Sequence, residues 1–324
     1  MSEALEFMAS SRRWRWSVRL LHSVSGAAWL LALLCVAFSV AAPDFLSGAN
    51  LRNVLLQATV LLVLALPMTL IILTEGLDLS MGAALSLCTV VLAVVQISTG
   101  SVLLGLAAAL LCATAVGAVN GALVAAFDLP PFVVTLGTLG AAQGLALVAA
   151  EGRTTMGVAD ELRWFWEGNL LGIAVPIWLA ALVWAIMHIL LNHTRFGIRV
   201  FALGGNREAL RFAGISVKWS LLWVYALGGL CVGLASLLMT ARLNGGHPTA
   251  AIGLEFDAIA AVAVGGTAFE RGRGGLGGTV LGVLAVGVMR NGLNLLSMPS
   301  SVQVAAVGVV VIVALWVDAA RGRT

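Results

Sequence analysis

Apolar residues arrive in blocks of roughly twenty, and charged residues are confined almost entirely to the gaps between them. Ten blocks can be marked, at about 20–42, 54–73, 80–98, 102–127, 131–150, 171–191, 219–241, 257–269, 276–297 and 301–317. A run of that length crosses a bilayer as a helix, because in hydrocarbon every backbone polar group must be satisfied within the segment. The eighth block is the weakest, being only thirteen residues long. At the N-terminus, "SRRWRW" ahead of an apolar stretch and the small residues of "SVAA" have the parts of a signal peptide. The apolar run is longer than a typical signal core and is followed by further apolar blocks, so it is expected to be a retained first helix.

Composition agrees with the pattern. The chain is 60% hydrophobic and 10% charged, where a soluble domain carries about a quarter charged residues, and its mean hydropathy is +1.04. The fold class expected is an all-α polytopic membrane protein of about ten transmembrane helices, forming one domain over residues 1–324. Arginine and lysine then set the orientation. With the N-terminus inside, Arg12, Arg13, Arg15, Arg19, Arg195, Arg199, Arg207, Arg211, Lys218, Arg271, Arg273, Arg321 and Arg323 lie on the cytoplasmic face. Only Arg52, Arg153, Arg163 and Arg242 lie outside, with Arg290 inside a span. This bias places both termini, including a tail at 1–19, in the cytoplasm, and it requires an even number of crossings. The short eighth block is therefore counted as a crossing, and a broken pair of half-helices would keep the same parity.

Self-similarity is faint but ordered. "VNGALVAAFDLPPFVV" (119–134) parallels "RNGLNLLSMPSSVQVA" (290–305), pairing Asn120 with Asn291 and Pro130 with Pro299. Upstream, "GLDLSMGAA" (76–84) parallels "GLEFDAIAA" (253–261), each with an aspartate at the head of a small-residue helix. An offset of about five spans makes the two copies run in opposite directions, the inverted-repeat arrangement of transporters. The plain alternative is that Asn-Gly and Pro only mark turns.

Several motifs dissolve on inspection. "GRGGLG" (272–277) has the glycines of a phosphate cradle, but no strand is expected before it, and small residues at helix starts serve close packing in membranes. A Walker loop also needs a lysine after its last glycine, and Lys218, in "ISVKWS", is the one lysine of the chain. His22, His188, His193 and His247 have no ligand spacing, so no metal site, catalytic constellation or cofactor is expected, and no nucleic-acid partner. Cys35, Cys88, Cys112 and Cys231 fall in apolar segments and read as buried free thiols. Tryptophans such as Trp14, Trp16, Trp29, Trp164, Trp166, Trp219 and Trp316 cluster near block boundaries, as interfacial anchors do. Embedded polar residues matter more, since each is costly in hydrocarbon without a partner. These are Asn120, Gln143, Arg290, Asn291 and Asn294. Arg290 is the one charge expected within a span, Asp78 and Asp257 mapping to helix ends.

One polar interruption stands out, "GGNREALRFAGIS" at 204–216. Asn206 suits an N-cap, Glu208 sits in the first turn where the helix dipole favours it, and Gly214 is placed to end the helix. Two turns are marginal alone in water, so the helix must rest on the body. Ala209, Phe212 and Ala213 share a face inside a charged rim, the profile of a docking element. A basic loop held at anionic head groups is the alternative.

"EALRFAG", Glu208 to Gly214, resembles the loop with which permease subunits of ABC importers meet their ATPases. Together with "TEGLDLSMGA", "NGALVAAFDLPPFVVTLGT", "RFGIRVFALGGNREALRFAGISV", "LEFDAIAAVAVGGTAFERGRGGLGGTVLG" and "RNGLNLL", it is similar to the ribose-type monosaccharide permeases from about residue 50 onward. The resemblance implies a fold like the cobalamin importers' (type II ABC importer), in the bacterial inner membrane, and a permease homodimer surrounded by membrane lipid. It further implies a cytoplasmic ABC ATPase that holds the ATP and a periplasmic sugar-binding protein. Residues 192–218 become a coupling loop, with Asn206, Glu208, Ala209, Phe212 and Gly214 as coupling residues. Asn120, Phe132, Thr135, Asn291 and Asn294 become the expected translocation pathway. Glu75-Gly76 stands where the family more often has Gly-Gly, and Arg290 where it often has Asn, so the sugar itself does not follow. A branched-chain amino acid permease of the same importer type, or a self-sufficient secondary transporter, is the alternative; the latter would need an ion site in mid-membrane.

Overall fold

The computed structural model describes residues 26–270 and 272–321, so the 1–19 tail, Trp14, Trp16, His22 and Arg271 lie outside it. Each of the ten expected blocks falls on a helix. In chain order these are α1 (Gly26–Ala41), α2 (Gly48–Leu73), α3 (Met81–Thr99), α4 (Val102–Phe127), α5 (Pro131–Ala149), α7 (Val175–His193), α10 (Val217–Leu243), α11 (Leu254–Val264), α12 (Leu276–Leu295) and α13 (Ser300–Arg321). Short helices complete the set: α6 (Asp160–Glu167), α8 (Arg195–Gly205) and α9 (Arg207–Phe212). Among the described residues, seven helices, α2 to α5, α7, α10 and α12, have the length and hydropathy to cross a membrane. α1 and the apolar part of α13 are shorter.

α10 is the core of the bundle, packed on α2, α3 and α4. Its contact with α4 is a stripe of small residues. A side chain at Gly117 or Gly121 of α4 would strike the α10 backbone at Tyr225 or Leu222, and one at Gly229 would strike the carbonyl of Ala113. Between membrane helices, where lipid is as apolar as leucine, close backbone approach of this kind supplies much of the attraction.

The weak eighth block has a structural cause. α11 spans Leu254–Val264, starting three residues before the expected block and ending five before its end. Gly266 has φ +82°, and a side chain at Gly265 would hit the backbone of Gly278, so the chain turns there instead of continuing. On its other side, residues 244–253 run non-helically along α3. Membrane-depth backbone of this sort is tolerated only where protein satisfies it. Here the Thr89 hydroxyl accepts from His247 N (3.2 Å), the Ser86 hydroxyl from Ala251 N (3.1 Å), and Gln143 Nε2 donates to Pro248 O (2.8 Å). A two-residue antiparallel pairing of β1 (Thr155–Met156) with β4 (Gly245–Gly246) holds the start of this run. The remaining two-residue strands, β2 (Asn169–Leu170) and β3 (Ile173–Ala174), pair with each other.

Cys88 and Cys231 are buried, whereas Cys35 and Cys112 are only half-buried; all four are free. Trp29, Trp164, Trp219 and Trp316 are exposed, and Trp166 lies under the Arg242 guanidinium. In 272–277 the expected packing role holds for two of the four glycines: a side chain at Gly272 would meet Phe201 O at 2.6 Å and one at Gly274 the Thr267 side chain at 2.5 Å, whereas Gly275 and Gly277 have open space there.

Candidate functional site

Two buried polar networks and one surface helix hold most of the residues singled out by sequence. The first network begins where α2 ends. In the turn before α3, Asp78 Oδ1 accepts from the Ser80 amide (2.9 Å) and hydroxyl (2.6 Å). Asn120 of α4 donates to Ser80 Oγ (2.8 Å) and accepts from Thr138 of α5 (2.6 Å). Thr135, one turn before Thr138, has its hydroxyl 2.9 Å from Pro131 O and 3.2 Å from Leu77 O. Asp78, Ser80, Asn120 and Thr135 are all buried. The network bolts the 74–80 turn to two helices, and the Asn120 carboxamide has protein partners at both ends.

Near the far ends of α2 and α12 lies the second network. Asn291 and Asn50 exchange two hydrogen bonds (2.8 and 2.9 Å), and Asn50 also donates to Phe45 O. One residue earlier, Arg290 pairs with Asp257 of α11 at 2.6 Å. Asp257 is only 1% exposed and Arg290 about a third exposed. Here the expectation needs correction. Asp78, Glu255 and Asp257 do lie at helix starts, yet all three are buried, so Arg290 is not the one embedded charge. Glu255 is turned back to accept from Gly253 N (3.1–3.2 Å), covering the start of its own helix.

Of the expected pathway residues, Asn120 and Thr135 share one network and Asn291 sits in the other. Phe132 is 52% exposed and meets the first network only through its carbonyl, 3.4 Å from the Thr135 hydroxyl, and Asn294 is exposed as well. His247 is engaged locally, with Nδ1 3.3 Å from the Thr154 hydroxyl.

The 204–216 motif forms the six-residue α9. Asn206 caps it, its Oδ1 accepting from Ala209 N (2.9 Å). It ends in a Schellman pattern: Gly214 at φ +72°, Gly214 N to Arg211 O and Ile215 N to Leu210 O, both 3.0 Å. That turn suits glycine, which reaches positive φ without a Cβ penalty. Leu210 is buried and is the residue on which α9 rests, while Ala209, Phe212 (89% exposed) and Ala213 face outward. Two anchors escaped the sequence reading. Arg207 donates to Thr74 O (2.8 Å) and Leu203 O (3.1 Å), with Glu75 at 3.9 Å. In α8, Gly204 lets the helix press against Leu73 O and the Gly272 backbone. α9 is thereby fixed to the end of α2 and to the 265–275 turn, so displacement of one moves the others.

A bundle of membrane-length helices, with buried polar ties at its helix breaks and a rigidly mounted outward-facing helix, defines a polytopic membrane permease. The family model described as "Branched-chain amino acid transport system / permease component" matches residues 50–315, and the chain belongs to that family. It is 40% identical to the ribose import permease protein RbsC of Escherichia coli K12 over 89% of this chain and 91% of that one. Identity to the RbsC of Bacillus subtilis is 38%, over 89% and 90%. The D-allose transport system permease protein AlsC of E. coli K12 is 34% identical, over 90% of each chain. No solved structure matches the chain.

Proposed function

We propose that this chain is the membrane-spanning subunit of an ABC importer for a monosaccharide, a pentose or related sugar. The observation that carries this reading is near full-length similarity to permeases named for ribose and allose, joined by one named for L-arabinose. The outward-facing α9 supports the remainder: a cytoplasmic ABC ATPase docks through Asn206, Glu208, Ala209, Phe212 and Gly214, within a coupling loop at 192–218. ATP is bound and hydrolysed there, and the sugar is delivered by a periplasmic binding protein to a homodimer of permeases. The branched-chain amino acid reading has only the family description behind it. Uptake of labelled ribose, allose and arabinose by a strain lacking its own sugar importers, supplied with this permease, its ATPase and its binding protein, tests the reading. Leucine uptake in place of sugar uptake overturns it.

The same proposal includes ten crossings in a fold like the cobalamin importers', as one domain with both termini, and the 1–19 tail, in the cytoplasm. Support comes from the repeat. Ser80 and Asp257 each stand four residues after a repeat-related glycine. Each is tied to the Asn-Gly helix of its own copy, Ser80 to Asn120 and Asp257 to Arg290. Cysteines at Ser300 and Ala209 check it: the first is expected to react with a membrane-impermeant thiol reagent from the periplasm, the second only from the cytoplasm. Reaction of both from one side sinks the inversion.

The pathway set of Asn120, Phe132, Thr135, Asn291 and Asn294 belongs to this reading too, uncharged carboxamides being suitable partners for sugar hydroxyls. Asn120→Leu removes the two hydrogen bonds that tie Ser80 to Thr138, while Ser80 keeps Asp78 and Thr138 keeps Val134 O as partners; at about 1 kcal/mol for each bond lost, it is expected to lower the yield of folded permease. Uptake per folded molecule separates the roles. A fall in specific uptake supports the pathway; an unchanged value assigns Asn120 to packing alone.

A further inference from the structure

Beside α9, the end of α4, the start of α5 and the start of α10 enclose a cavity of about 440 Å³. Its lining includes Arg207, Arg211 and Lys218, with Asp128 as the opposing charge. Arg207 is committed to Thr74 O and Glu75. Among the described residues nothing pairs with the Arg211 guanidinium, and Lys218 has only a long contact of 3.4 Å to Ala126 O. Asp128 ends α4 in the left-handed region (φ 56°), with its carboxylate exposed and unpaired among the described residues. Apolar side chains stand beside these charges: Phe127 is 69% exposed and Leu129 42%. Three membrane-length helices begin or end here, so the cavity lies at the level of the bilayer interface whichever way the chain is oriented.

We infer that this cavity binds the head group of an anionic glycerophospholipid, with the phosphate between Arg211 and Lys218. Each part of such a molecule has a partner. Its phosphate oxygens accept from Arg211 and Lys218, a hydroxyl on a glycerol head group donates to Asp128, and its acyl chains leave over Phe127 and Leu129. A free phosphate has no use for the apolar wall, and a zwitterionic head group brings an ammonium group toward two cations. Because α9 forms one wall, the bound lipid stiffens the mounting of the helix that meets the ATPase.

Native mass spectrometry of the delipidated, full-length permease tests this, with phosphatidylglycerol and phosphatidylcholine added back separately. The unmodified protein is expected to retain phosphatidylglycerol in clear preference. An R211A/K218A variant is expected to bind it roughly twentyfold or more weakly, each cation at a membrane surface supporting about fivefold. K218R is expected to keep it. Both side chains are exposed, so the variant should melt like the unmodified permease, and R211Q/K218Q offers a second version if it does not. Equal retention of the two lipids, undiminished binding in both double variants, or displacement by millimolar inorganic phosphate overturns the assignment. So does a double variant that holds its lipid but loses its ATPase, because the cations then serve a protein interface.

Discussion

Replacing Glu208 by lysine, or Gly214 by valine, is expected to cut sugar uptake and ATPase association by about an order of magnitude while leaving the permease inserted and folded. Gly214 sits at φ +72° with open space where a side chain would go, so the fault lies in the backbone alone. A non-glycine residue in that region costs roughly 1–2 kcal/mol, more for a β-branched one, which is about tenfold in the population of correctly ended helix. The two hydrogen bonds closing the Schellman turn, and with them the seating of Leu210, loosen together. Glu208→Lys acts at the other end, replacing a carboxylate favoured by the helix dipole with a cation it repels, worth roughly 0.3–1 kcal/mol for each part of the swap. Phe212→Ala is the comparison: its ring is exposed and holds nothing in the chain, so it should weaken ATPase association without altering α9. Co-purification and uptake, normalised to surface-labelled permease, provide the readouts. Normal values in both Glu208 and Gly214 variants remove the docking role.

How much of this was legible in advance follows from the range of each interaction. Spans were legible because apolar blocks are local, and so were the Asn206 cap and the Gly214 stop, each set within about three to five residues of chain. What was hidden is nonlocal. No feature near Ser86, Thr89 or Gln143 shows that they satisfy the irregular backbone of 244–253, over a hundred residues on in sequence. Arg207 reads as one more surface cation until its partners at Thr74 and Glu75 are known. The half-length of α11 was visible as a weak block, but its cause, a non-helical run sharing the membrane depth, was not. Embedded carboxamides show the same limit: sequence marks Asn120 and Asn291 as costly, and only the fold shows that Ser80, Thr138 and Asn50 already satisfy them.

The buried Asp257 carboxylate depends on a single partner for its stability. Arg290→Ala is expected to destabilise the permease by about 3–5 kcal/mol, the cost of breaking a buried pair and stranding one charge. Asp257 is 1% exposed and Arg290 supplies its one hydrogen bond, at 2.6 Å, leaving Oδ2 already without a partner among the described residues. Asp257→Asn should cost less, because the stranded guanidinium is about a third exposed and can turn toward water or head groups. If attraction between charges is what matters, the neutral pair D257N/R290Q should recover most of the loss, since buried ion pairs are often replaceable by neutral groups. Asn291 provides an internal control, being adjacent in sequence but committed to Asn50. Thermal unfolding of the purified permease, run as a double-mutant cycle, measures the coupling directly. A melting curve for Arg290→Ala that overlays the unmodified protein refutes the pair as a structural tie. Destabilisation by Arg290→Ala that D257N does not relieve assigns the arginine's worth to its packing against α12's neighbours instead of its charge.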